Sequence, residues 1–98
     1  MDYWKVEWHH DFTEEPIVLF SEIGEDGYET RKIQLYRDGR LLKADEAHEN
    51  GTIGLSEIPV GDIADVAAQA EFSAWVISKS DFYEVWDQAS WPTEIRAT

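Results

Sequence analysis

Residues 30–44 read TRKIQLYRDGRLLKA, two short apolar-containing runs joined by Asp38-Gly39. In the first run Arg31, Ile33, Leu35 and Arg37 share one side, the period of two that marks a half-buried strand. Asp-Gly between two such runs is a strong two-residue hairpin signal, so the chain is expected to return as a paired strand over RLLKA, residues 40–44. A hairpin alone is marginal in water, so further strands and a covering layer must support it.

The strands are found upstream. In the first, Trp4, Val6 and Trp8 share one face, while Tyr3, Lys5, Glu7 and His9 share the other. DFTEEP breaks the pattern and reads as a loop. Ile17 to Ile23 is the most apolar run and is expected to be a central strand, followed by a turn in GEDGYE, where glycine permits positive φ. The cover comes from downstream. After the loop EAHENGTIGLSEIPVG, Ile63, Val66, Ala67 and Ala70 fall at helical spacing behind Asp62, a candidate N-cap. SAWVI, residues 73–77, is either a fifth strand or a buried connector. Ser78 and Asp81 then have capping-box-like spacing ahead of Phe82, Val85, Trp86 and Ala89, and Pro92 stops that helix. The expectation is an α+β fold: an antiparallel meander of about four strands with two helices packed on one face. One domain is expected over residues 1–98, strand-rich over 3–45, helix-rich over 61–91, with a frayed tail at 93–98.

The composition agrees with a folded core, at 43% apolar and 13% aromatic, with five tryptophans in 98 residues. Without cysteine, neither disulfides nor thiolate metal sites are available. The start MDYWKVEWHH lacks a basic, then apolar, leader, and no run suffices for a membrane span, so a soluble cytoplasmic protein without membrane partners is expected. The net charge is −13, unevenly spread. Residues 1–30 carry nine acids against Lys5, and residues 44–98 carry eleven against Lys79 and Arg96. Between them Arg31, Lys32, Arg37, Arg40 and Lys43 face only Asp38, a basic stripe on the hairpin. The overall charge opposes direct binding to nucleic-acid phosphates and favours fast encounter with a basic protein.

Trp8-His9-His10-Asp11 offers the residue types of a metal site or a general base. Adjacent residues on a strand point to opposite faces, so His9 and His10 are not expected to chelate one ion. His48, beside Asp45, Glu46 and Glu49, could join them only through the tertiary fold. No nucleophile elbow, phosphate loop or HExxH accompanies them, so no metal, cofactor or catalytic residue is assigned and the protein is not expected to be an enzyme. The basic stripe is expected to pair with local acids such as Glu22 and Glu29. Asp11, Glu14 and Glu15, then Glu25 and Asp26, then Asp45, Glu46 and Glu49, all fall in expected loops and are candidate partner-binding residues, with Trp91 as an aromatic anchor.

VEWHHDFTEEP, FSEI, DGYETRKIQLYRDGR, LSEIPV and AEFSAWVISKSDFYEVW together resemble an uncharacterised family of small bacterial proteins of unknown function. The resemblance runs from about Tyr3 to Trp86 and brings no catalytic residue with it. In size, acidity and architecture the chain is similar in type to toxin-immunity proteins. The expected function is therefore a binding protein neutralising a basic partner such as a nuclease toxin. The alternatives are a phage-type DNA-mimic inhibitor of a nucleic-acid-binding complex and, third, an enzyme on a small anion using His9 or His10.

Overall fold

Four strands form where the sequence places them, and SAWVI supplies a fifth. The computed structural model describes residues 1–48, 53–56 and 58–92. The strands are β1 (Asp2–Trp8), β2 (Val18–Ile23), β3 (Glu29–Leu35), β4 (Leu41–Asp45) and β5 (Phe72–Ile77). They make one sheet in the order β4-β3-β2-β1-β5, every neighbouring pair antiparallel. Among the described residues the sheet thus has one strand more than the expected four or so, and β1 is an interior strand. β2 is central, which explains its nearly continuous burial.

Both hairpin turns are built the same way, and neither is the two-residue turn that Asp38-Gly39 suggested. Tyr36 N–H donates to Arg40 O and Gly39 N–H to Tyr36 O, so three residues lie between the closing pair. A two-residue type I′ turn needs positive φ at both central positions, yet only Gly39 has it, at 93°. The result is a type I turn closed by a glycine bulge. Gly24–Tyr28 repeats it, with Gly27 at φ 84°. In each, the aspartate before the glycine accepts the N–H two residues on: Asp26 from Tyr28 and Asp38 from Arg40, both at 3.0 Å.

The main core lies on the Tyr3 side of β1, where Tyr3, Val18, Phe20 and Ile33 pack against Phe82 and Ala89. These last two belong to or follow α2 (Lys79–Gln88), whose first turn is capped by Ser78 Oγ accepting from Asp81 N–H at 3.0 Å. Trp4 and Val6, on the other side of the strand, are buried as well. Residues 53–56 and 58–60 meet that side: Lys32 Nζ donates to Gly54 O at 3.0 Å, Ser56 N–H to Glu29 at 2.9 Å, and Val60 N–H to Gly27 O at 2.9 Å. Two covered faces explain why the neighbours Tyr3 and Trp4 can both be buried.

α1 (Ile63–Ala67) is shorter than its apolar spacing implied and packs against β5. Asp62 occupies the N-cap position but its side chain makes no capping bond. Ala67 and Ala70 are exposed. The helix ends early because Phe72 N–H bonds to Gln69 O in a turn that starts the strand. Among the described residues no helix is long and apolar enough to cross a membrane.

Candidate functional site

The two histidines leave the end of β1 for different partners. His10 Nε2 lies 2.7 Å from the Pro16 carbonyl, and Phe12 N–H donates to His10 Nδ1 at 2.9 Å. A carbonyl only accepts and an amide only donates, so Nε2 acts as the donor and Nδ1 as the acceptor. Arg37 donates to the His10 carbonyl, and Trp8 lies against the ring with centroids 4.1 Å apart. His10 is thereby a latch holding the 9–17 loop, with both ring nitrogens committed to backbone groups. His9 Nε2 instead meets Ser73 Oγ at 2.8 Å across β1 and β5. Among the described residues no carboxylate bonds to His9, so this serine–histidine pair has no orienting third member there. An open groove of about 580 Å³ beside it is lined by Glu7, Asp11 and Arg37 among others. Among the described residues no three His, Asp or Glu are grouped to hold a metal.

A buried polar centre lies at the opposite end of the sheet. The register between β2 and β3 slips at Glu22/Ile23, leaving Thr30 as the extra residue of a bulge. That slip lets two consecutive side chains reach the buried Glu22: Thr30 Oγ1 donates at 2.7 Å and Arg31 at 3.1 Å. Tyr83 of α2 adds its hydroxyl at 2.8 Å. Burial alone would raise the Glu22 pKa, but bonds from Thr30, Tyr83 and Tyr3, with the Arg31 charge, hold it below the usual carboxylate range. Burial and the neighbouring Glu22 push the Tyr3 hydroxyl up to about 12, and the same causes raise Tyr83.

Arg31 continues into a ladder of cations between rings. It lies 5.6 Å from the Tyr83 ring and 5.5 Å from Trp86, and Lys43 sits 4.6 Å from Trp86 and 5.0 Å from Trp91. The other stripe cations are engaged too. Lys32 pairs with buried Glu29 at 3.3 Å, which also accepts from Ser21 at 2.6 Å. Arg40 pairs with Asp38 at 2.8 Å over the Tyr36 ring, and Arg37 holds the His10 carbonyl. All five cations are tied within the fold, Arg31 and Lys32 on the expected acids Glu22 and Glu29.

The candidate acids are left outside. Asp11, Glu14, Glu15, Glu25, Asp26 and Glu46 are exposed and make no ion pair among the described residues. They do not line one edge. The antiparallel register places Asp11, Glu14 and Glu15 at the Trp8 end of the sheet, and Glu25, Asp26, Asp45 and Glu46 at the Ile23 end. Asp45 is half-buried against His48 Nδ1 at 2.7 Å. Burial acts to raise its pKa, but that bond and two backbone N–H groups keep it low. Glu49 and the 93–98 tail lie outside the described residues. Trp91 is 38% exposed but not isolated, stacked 4.2 Å from the His48 ring and edge-on to Trp86.

A family model described as a domain of unknown function, DUF6881, matches residues 2–91. The chain belongs to the DUF6881 family. No curated protein matches it, and no solved structure does. The match takes in every strand and both helices of the DUF6881 fold, from β1 through the Glu22 centre to Trp91.

Sequence reasoning missed part of the Glu22 centre in this DUF6881 chain. Arg31 was reachable by cross-strand pairing, and the bulge that adds Thr30 left no signal. Tyr83 lies 61 residues from Glu22 and comes only with the packing of α2. The exposed Trp75 and Val76 of β5 were also missed, because SAWVI reads equally as a buried connector.

Proposed function

We propose that this DUF6881 chain is a small acidic binding protein that neutralises a basic protein, an inhibitor of the immunity type with a nuclease toxin as its target. One observation carries the reading: the five cations of the 31–43 stripe are tied to partners inside the fold, while Asp11, Glu14, Glu15, Glu25, Asp26 and Glu46, spread over both ends of the sheet, have no ion pair among the described residues. The charge of −13 is thus displayed and not locally cancelled, the arrangement that steers a cationic partner to the surface. The protein acts by occupying its target, without chemistry of its own. His10 is bound up as a latch, and Glu22 is surrounded by donors that hold it ionised and buried.

The test is recovery of the tagged protein with its bound partner from the native host, followed by association kinetics between the purified pair. A basic protein whose activity is blocked stoichiometrically is the expected result. A partner assembly that binds nucleic acid, displaced from its DNA by this chain, would make it a DNA mimic instead. A partner without basic surface would end both readings.

A further inference from the structure

The two edges of the sheet are treated differently. β4 is closed: Lys43 N–H donates to Ser90 O at 3.0 Å and Ser90 N–H to Leu41 O at 2.9 Å, so the chain after α2 runs parallel along it. That edge also carries Lys43 and Asp45, charges that discourage a further strand. β5 has none of these protections. Its sequence, FSAWVI, has no charge and no proline, and its pairing with β1 runs without a bulge. On the outer side no backbone group of Ser73–Ile77 has a partner among the described residues. Trp75 and Val76, which point to opposite faces, are 46% and 64% exposed.

The surroundings of β5 are acidic. Asp65 on α1, which packs against this strand, is exposed, as is Glu71 just before the strand. On the α2 side Asp81 and Glu84 line a groove of about 340 Å³ with Lys5, Ile77 and Val85. Lys5 is partly covered by the Trp75 ring at 5.8 Å, and Lys79 leans toward Tyr83 at 6.0 Å. A second copy of the chain would bring these carboxylates against their own counterparts. An extended segment with alternating basic side chains meets them favourably, with its uncharged positions against Trp75 and Val76.

We propose that β5 is a docking edge that takes up an extended strand of a basic protein as a sixth strand of the sheet. This rests on the reading of the protein as a binder of basic partners and adds where and how such a partner attaches. Backbone pairing along the open edge supplies the attachment, and the flanking acids select a cationic strand.

The experiment uses the full chain and a short synthetic peptide alternating lysine and valine. Binding and amide hydrogen exchange are measured with this peptide, with an N-methylated version that cannot pair, and with a glutamate–valine version. The lysine–valine peptide is expected to bind and to slow the β5 amides that exchange fast in the free protein, while both controls fail. Val76→Lys, at an exposed position that leaves the fold intact, should weaken binding about tenfold or more by placing a charge on the edge. Binding that leaves β5 exchange unchanged and ignores Val76→Lys overturns the docking edge while the acidic-binder reading stands. Equal binding of the glutamate–valine peptide at β5 overturns the basic occupant and counts against that reading too. Protection of β5 that grows with protein concentration alone, with a dimer in sedimentation, assigns the edge to a second copy and overturns the proposal. Failure of every peptide to bind also overturns it, whatever partner the native host yields.

Discussion

His10 and Glu22 show how the same residue types serve opposite ends of a fold without forming a reaction centre. Both ring nitrogens of His10 are committed to backbone groups of its own loop, at Pro16 and Phe12. His10→Ala should therefore cost about 1–2 kcal/mol and speed exchange of the Phe12 amide, while a chelator leaves the melting temperature unchanged. One bound metal per chain by elemental analysis, lost with this variant, would refute the latch. Glu22 makes a pH-dependent contribution whose sign follows from its partners. Its folded pKa lies below the ordinary 4.5, so the unfolded chain binds more protons as the solution is acidified. That contribution is present above about pH 4.5 and is lost as pH falls through the folded value. Tyr3 acts at the other extreme: its folded value of about 12 exceeds the ordinary 10, so its contribution is intact below pH 10 and lost between the two. Glu22→Gln should lower stability by about 1–3 kcal/mol, since a buried amide cannot accept from all these donors. Denaturant midpoints measured from pH 3 to pH 7 should then show a shallower acid limb than the unaltered protein. An unchanged limb would mean that another carboxylate governs acid unfolding.

At the scale of elements, strands were more legible than turns or short apolar runs. β1 and β3 were legible by alternation, β2 as the most apolar run and β4 as the return from Asp-Gly. The Arg31–Glu22 pair followed from cross-strand geometry, whereas Lys32 meets Glu29 three residues away on the same strand. Three features were not legible, each for a physical reason. Tyr3 and Trp4 both offer large apolar groups, so alternation cannot say which face a helix covers. SAWVI is too short for its periodicity to separate strand from connector. Asp-Gly announces a turn but leaves its length to the strand register. The turn geometry makes a sharp prediction at Gly39, where a Cβ would meet nothing within 4 Å yet φ is 93°. Gly39→Ala should cost about 1–2 kcal/mol from backbone strain alone, and Gly39→Asn less, because asparagine tolerates that region. Equal melting temperatures for the two variants would contradict the bulged turn. Reversing the stripe should be costlier: Arg31→Glu and Lys32→Glu each place a carboxylate beside a buried one, Glu22 or Glu29. Circular dichroism melts should show both variants losing stability. Loss of anion binding with stability intact would mean that the stripe is a ligand site.

For the whole molecule, charge was legible in amount but not in layout. Asp11, Glu14, Glu15, Glu25, Asp26 and Glu46 were found as loop acids, while Asp45, expected in a loop, is the last residue of β4; only the strand order shows that they divide between two ends. The division turns a general expectation about salt into a mapping experiment. If opposite charge steers the partner, its association rate should fall steeply between low and physiological salt, where the Debye length shrinks to about 8 Å. Neutralising Asp11, Glu14 and Glu15 to amides alters one end, and neutralising Glu25, Asp26 and Glu46 alters the other. These side chains are exposed and without ion pairs among the described residues, so both triple variants should keep the parent melting temperature. A partner approaching one end should lose association rate mainly with the matching variant, and one lying along the sheet should lose it with both. Trp91 acts on the other rate constant. It is half-open above His48 and Lys43, so a partner seated there buries its remaining surface, and Trp91→Ala should speed dissociation while hardly slowing association. Stopped-flow traces at several salt concentrations separate these effects. Association rates indifferent to salt and to both acid-to-amide sets would leave the displayed charge without a role in binding, and the inhibitor reading would fall with it.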